Sequence, residues 1–126
     1  MSARILVVDD DPNIADLLRI HLNSGGYDVR VANDAIAAGY MVLDEAPDLL
    51  ICDVNMPHMD GFEFVAALKA DSTLPYIPVI FLTSSEDGDL RGKELGAVAY
   101  LLKPVRAEKL LEVVAQHLPG GAQSGA

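Results

Sequence analysis

Two hydrophobic rhythms alternate along this chain. Arg4–Val8, Asp48–Asp53, Pro78–Leu82 and Val98–Leu102 are short, largely apolar runs, and Tyr27–Ala32 is a fifth run of similar length. Runs this short, rich in valine, isoleucine and leucine, predict buried strands. The stretches between them follow a wider spacing. Ile14, Leu17, Leu18 and Leu22 recur at helical intervals, as do Leu110, Leu111, Val114 and Leu118 near the other end. Asp11 before Pro12 predicts a helix start, with the acid as N-cap and proline in the first turn, where a missing N–H costs nothing. Gly25 and Gly26 predict where that helix stops. Further helices are expected over 34–45, 62–70, 87–95 and 106–118, the one at 62–70 after a loop that holds Pro57 and Gly61.

Five strands alternating with five helices predict an α/β fold, a doubly wound parallel sheet with helices on both faces. Open sheets of this kind gather their working residues at the carboxyl ends of the strands, near a switch in strand order. No internal repeat interrupts the pattern. Residues 1–118 are expected to form one domain, and 119–126 (PGGAQSGA) a flexible tail or the start of a linker.

Composition narrows the functions available. A chain of 126 residues, 51% apolar, can bury a core without disulfides or a structural metal. Cys52 is the single cysteine, so no internal disulfide forms, in keeping with a reducing compartment. Nine Lys and Arg against nineteen Asp and Glu give a net charge of −10. A nucleic-acid-binding face needs positive charge to displace counterions, so direct nucleic-acid contact by this domain is not expected. No apolar run is long enough to span a bilayer. Ile5–Val8 runs at once into three aspartates, unlike the longer apolar region of a secretory leader. The expected location is the cytoplasm, away from membranes.

The chemistry comes into view at the strand ends. Asp9 and Asp10 follow the first strand, Asp53 closes the third, Thr83 and Ser84 follow the fourth, and Lys103 follows the fifth. Folding would bring three carboxylates, a hydroxyl and an ammonium to one edge. Two carboxylates 4 Å apart repel by about 4 kcal/mol at an effective dielectric near 20. One lysine offsets part of that. A divalent cation that favours hard oxygen ligands offsets the rest, and Mg2+ suits a few carboxylates with waters left for substrate oxygens to replace. A carboxylate beside magnesium and lysine, in a shallow site, is suited to attack phosphorus, with Thr83 and Lys103 drawing charge from the phosphoryl oxygens. The product is an acyl phosphate.

Four segments carry a family likeness: ILVVDDDP over 5–12, CDVNMPHMDG over 52–61, FLTS over 81–84 and YLLKP over 100–104. Together, and in this order, they resemble the signature segments of bacterial response-regulator receiver domains of two-component signalling, and the likeness runs to Leu118. The resemblance implies a flavodoxin-like (βα)5 fold with strand order 2-1-3-4-5. It implies that Asp53 is the phosphoacceptor, charged by a phosphohistidine of a sensor histidine kinase or phosphotransfer protein. Asp9, Asp10, Asp53 and the backbone carbonyl of Asn55 would hold Mg2+. Lys103 would contact the phosphoryl group and precede a cis bond to Pro104. Thr83 would swing toward the phosphoryl oxygen and Tyr100 would turn inward behind it, altering a face read by a downstream effector or output domain. Such a protein is no enzyme in the ordinary sense, since it catalyses only its own phosphorylation and dephosphorylation. One departure stands out. Many DNA-binding members carry an acidic pair just before the switch tyrosine and dimerise through it, whereas this chain has Gly96, Ala97, Val98 and Ala99 there, which leaves a homodimer open.

Two other functions fit parts of the pattern. Asp9-Asp10-Asp11 superficially matches the D-x-D opening of haloacid dehalogenase-like phosphohydrolases, whose first aspartate is the nucleophile; Pro12 and Asn13 fit that opening poorly, and no late acidic pair follows. A pseudo-receiver that binds partners without phosphorylation is the second. Taken singly, the residues have plainer readings: Asp9–Asp11 as helix-capping acids, Asp60 and Gly61 as turn chemistry, Tyr100 as packing, Cys52 as a small buried group. A phosphate-cradling glycine loop for nucleotide or flavin is absent from the sequence.

Overall fold

The computed structural model describes residues 2–56, 59–84 and 94–118. β1 (Arg4–Val8), β2 (Asp28–Ala32), β3 (Leu49–Asp53), β4 (Val79–Thr83) and β5 (Ala99–Leu102) form one sheet in the order β2-β1-β3-β4-β5. Every neighbouring pair is parallel. Four helices are described: α1 (Pro12–Ser24), α2 (Ala35–Asp44), α3 (Gly61–Ala70) and α4 (Ala107–His117). Of the helix expected over 87–95, residues 87–93 lie outside the described residues, as do Ser85, His58 and the tail 119–126.

The strands alternate their side chains between two cores, as a two-residue period requires. Leu6, Val8, Leu50, Cys52, Val79 and Phe81 pack with Ala38 and Val42 of α2 and Phe64 and Val65 of α3. Ile5, Val7, Leu49, Ile51, Ile80 and Leu82 pack with Ala15, Leu18 and Leu22 of α1 and Leu110, Val113 and Val114 of α4. β3 and β4 are buried at all five positions. That is why the sequence there shows no polar alternation.

Aspartates cap three of the four described helices. Asp11 caps α1 by accepting from the Asn13 and Ile14 N–H groups, and Asp34 caps α2 by accepting from Ala37. Asp60 and Glu63 form a reciprocal capping box on α3. Gly26 adopts φ +94° just beyond α1, a conformation that disfavours other residues. Helical spacing alone does not tell which apolar residues of α1 are buried. Leu17 is half exposed, and Ala15 takes the buried place, because Ala15, Leu18 and Leu22 share the stripe that meets the sheet.

Candidate functional site

The strand order makes the site. β1 and β3 are neighbours in the sheet although α1, β2 and α2 separate them in the chain, so Val8 pairs with Cys52 and the residues that follow them emerge side by side. Those residues are Asp9 and Asp53. Carboxylate oxygens of Asp9, Asp10 and Asp53 lie within 4.8 Å of one another. Lys103 arrives from the end of β5, placed by its N–H, which donates to the Thr83 carbonyl at 2.8 Å. Its Nζ lies 2.9 Å from Asp9 Oδ2 and 3.3 Å from Asp53 Oδ2.

The three acids are not equivalent. Asp9 is fully buried, and its Oδ1 accepts the Asp11 N–H at 2.9 Å. Its Oδ2 is buried without a directed hydrogen bond, with the lysine ammonium alongside. Asp53 is held more loosely: Oδ1 accepts from the Asn55 N–H at 3.2 Å, and Oδ2 meets Lys103 at 3.3 Å. Asp10 is exposed, as is Asn55. The expectation of a shallow site therefore holds for Asp10 and Asn55 but not for Asp53, which is 2% exposed because β3 carries it into the sheet edge.

Electrostatics follow from this crowding. Burial first, then the Asp9 charge, raise the Asp53 carboxyl to about 6, against the opposing pull of Lys103 and the Asn55 N–H. Burial alone would lower the Lys103 ammonium, but its close contact with Asp9 and the charges of both aspartates outweigh it and hold it above the usual lysine range. The donor set fits a hard divalent cation: three carboxylates converge, one buried oxygen lacks a hydrogen bond, and a single ammonium balances only part of the charge. Such a cation competes with the proton for Asp53. Mg2+ affinity should therefore fall as pH drops through about 6, approaching about tenfold per pH unit below that point. Calorimetric titration across this range checks it, and a flat affinity would contradict the site.

Lys103 also has a structural role here. Lys103→Ala leaves Asp9 and Asp53 facing each other with no described cation between them, and should destabilise the metal-free fold by about 2 kcal/mol at neutral pH. Without Lys103 the Asp53 carboxyl rises further, so the loss should shrink as pH falls and Asp53 takes up a proton. Mg2+ should restore more stability to this variant than to the parent. Thermal melts with and without Mg2+ at two pH values test all three statements.

Thr83 closes β4 and is buried. Tyr100 is half-buried, its ring 5.6 Å from that of Phe81 and 6.5 Å from that of Phe62. The Lys103–Pro104 bond is cis, as the resemblance implied. Cys52 is a buried free thiol packed beside Asp53, and burial pushes it up out of the reactive range. Two residues of this region were not singled out from the sequence as part of the site. Gly61 lies so close to the end of β3 that a Cβ there would meet the Asp53 carbonyl oxygen at 2.3 Å. A glycine opening a helix just after the acidic strand end was the available signal. Asn33 donates from Nδ2 to the Asp9 carbonyl at 3.1 Å, a contact across 24 residues that nothing in the sequence announces.

A flavodoxin-like α/β domain with acids and a lysine meeting at the carboxyl edge of its sheet is the class that fold and geometry define. Residues 5–115 match the response regulator receiver domain family, and the chain belongs to that family. Among curated relatives it is 42% identical over 113 residues to the response regulator MprA of Mycobacterium bovis, covering 88% of this chain and 48% of that protein. It is 39% identical over 110 residues to the DNA-binding dual master transcriptional regulator RpaA of Synechocystis, covering 86% of this chain and 46% of that protein. The chain thus spans about half the length of the curated relatives it matches. Among solved structures, the chemotaxis response regulator CheY4 of Vibrio cholerae superposes with a TM-score of 0.87 at 35% identity, covering 94% of this chain and all of that one. A CheY-like receiver domain protein of Methanospirillum hungatei gives 0.83 at 32% identity, covering 92% and 93%. The chain is a receiver domain of two-component signalling, and no enzyme family is indicated. No helix among the described residues is long and apolar enough to cross a membrane.

Proposed function

We propose that residues 1–118 accept a phosphoryl group onto Asp53 from a phosphohistidine of a sensor histidine kinase or phosphotransfer protein, and that 119–126 is a tail or linker. The observation that carries this reading is the unequal grip on the two buried acids. Asp9 has Oδ1 fixed by the Asp11 N–H at 2.9 Å and Oδ2 ion-paired to the Lys103 ammonium at 2.9 Å, while Asp53 has only the longer contacts at 3.2 and 3.3 Å. The looser carboxylate is the better nucleophile. Its Oδ attacks phosphorus, the P–N bond to the donor imidazole breaks, and the imidazole keeps the electron pair.

Asp9, Asp10, Asp53 and the Asn55 carbonyl would hold Mg2+, which supplies positive charge for the phosphoryl oxygens. Lys103, already between Asp9 and Asp53, would follow the charge as it moves outward onto the phosphoryl group. Thr83, in the ladder beside Lys103, is the hydroxyl within the same edge that can donate to a phosphoryl oxygen. Tyr100, packed on Phe81 two residue positions from the β4 end, would respond to that shift and change the surface that an effector or output domain reads. The reaction is confined to this chain's own phosphorylation and dephosphorylation. A cytoplasmic location and the absence of direct DNA contact by this domain complete the reading, the latter supported by the −10 charge.

Incubation with a small acyl phosphate donor and Mg2+, followed by trapping of the acyl phosphate and mapping, tests the proposal. Label on Asp53 supports it. Label on Asp9 would turn the reading toward a phosphohydrolase, and no label on folded protein toward a pseudo-receiver.

A further inference from the structure

We infer that Asn33 is a positioning residue that presents Asp10 to the cation, an inference that rests on the metal reading above. The register between β1 and β2 ends at Val8 and Ala32. One further backbone rung follows, from the Asp9 N–H to the Ala32 carbonyl at 3.1 Å. After that the β2 strand is spent. The chain turns at Asp34 to begin α2, so its main chain offers no donor to the next carbonyl of the β1 end. Asn33 supplies one from its side chain, donating from Nδ2 to the Asp9 carbonyl at 3.1 Å. A side chain thus extends the sheet by one rung beyond the point where the backbone leaves it.

That rung matters because of what it fixes. The Asp9 carbonyl belongs to the planar peptide that leads to Asp10, so holding the carbonyl sets where the Asp10 Cα lies. Asp10 is exposed, and its carboxylate makes no hydrogen bond or ion pair among the described residues. It is nonetheless within 4.8 Å of two like-charged groups, Asp9 and Asp53, which push it outward when no cation is bound. Backbone restraint is the remaining force that keeps it in range. With the rung in place, the cation meets a preformed ligand; without it, binding must also re-order the turn against that repulsion.

Asn33→Ala in the 126-residue chain tests this. Mg2+ affinity, read by calorimetry, should fall about 3- to 10-fold, the range expected for loss of one net hydrogen bond. In metal-free protein the Asp9 carbonyl carbon resonance should shift and the Asp10 amide should broaden, while the melting temperature barely moves, because Asn33 is exposed. An unchanged Mg2+ affinity, or an Asp10 amide as ordered as in the parent, would overturn the role of Asn33. A parent protein that gives no response to Mg2+ would remove the metal reading instead, and the metal-free resonances would still decide whether Asn33 orders Asp10.

Discussion

Replacing Asp53 with asparagine should abolish phosphorylation and, in the same stroke, make the metal-free protein more stable at neutral pH by roughly 1–3 kcal/mol. The sign follows from the raised carboxyl. In the unfolded chain Asp53 titrates near its ordinary value of 3.8, whereas in the folded protein it holds its proton up to about 6. Below the lower value both states carry the proton, and the residue costs no electrostatic stability. As pH rises through the interval, the unfolded chain binds fewer protons than the folded one, so stability declines, and above about 6 the full penalty is present. Asparagine keeps the shape and removes the charge that burial and Asp9 disfavour. The gain should therefore be visible at pH 7, absent near pH 4, and reversed in order when Mg2+ stabilises the parent but not the variant. Denaturant melts at two pH values, with and without Mg2+, read the effect directly. An Asp53→Asn protein less stable than its parent at pH 7 without metal would mean that the acid is comfortable where it sits, and the case for a cation would lose its electrostatic basis.

Gly61→Ala should be the most damaging single methyl that can be added near the site. An alanine Cβ would sit 2.3 Å from the Asp53 carbonyl oxygen and 3.0 Å from both the Asp53 carbonyl carbon and the Val54 Cα. All three atoms are backbone, so no side chain can swing aside to relieve the clash. Gly61 is itself tied to the strand end, since its N–H donates to the Val54 carbonyl at 2.8 Å. Either α3 backs away from β3 or the end of β3 moves, and the second displaces the phosphoacceptor. A cost of about 3 kcal/mol or more is expected, at the upper end for overpacking because the obstruction is main chain. The melting temperature should drop by on the order of 10 °C, and the folded fraction should accept phosphate poorly. A variant with parental stability would show that the loop ahead of α3 can yield.

The contrast between Gly61 and Gly26 explains part of what could be read in advance. Gly26 answers a local need, a positive φ just past α1, and the glycine pair at 25–26 announced it. Gly61 answers a distant one. Its reason is the approach of the Asp53 backbone, which is visible only once the start of α3 lies against the end of β3. Leu17 teaches the same lesson in reverse. It is apolar and falls at helical spacing, but the face of α1 that meets the sheet carries Ala15, Leu18 and Leu22, and Leu17 lies half exposed. Asn33 goes furthest, because an asparagine before a helix cap has an ordinary local explanation, and its bond to Asp9 crosses from one strand end to another.

What the chain determines locally, the sequence alone decided: five strands from apolar runs, the start of α1 at Asp11, and the placement of Asp9, Asp10, Asp53, Thr83 and Lys103 at strand ends. Each depends on neighbours a few residues away, so periodicity and capping chemistry suffice. Tertiary structure alone decided which acid is gripped and which is loose, how deeply Asp53 is carried into the sheet edge, and which backbone passes too near for a side chain at Gly61. Those outcomes depend on the order 2-1-3-4-5, which makes β1 and β3 neighbours and turns residues 44 positions apart into partners within hydrogen-bonding reach of one lysine.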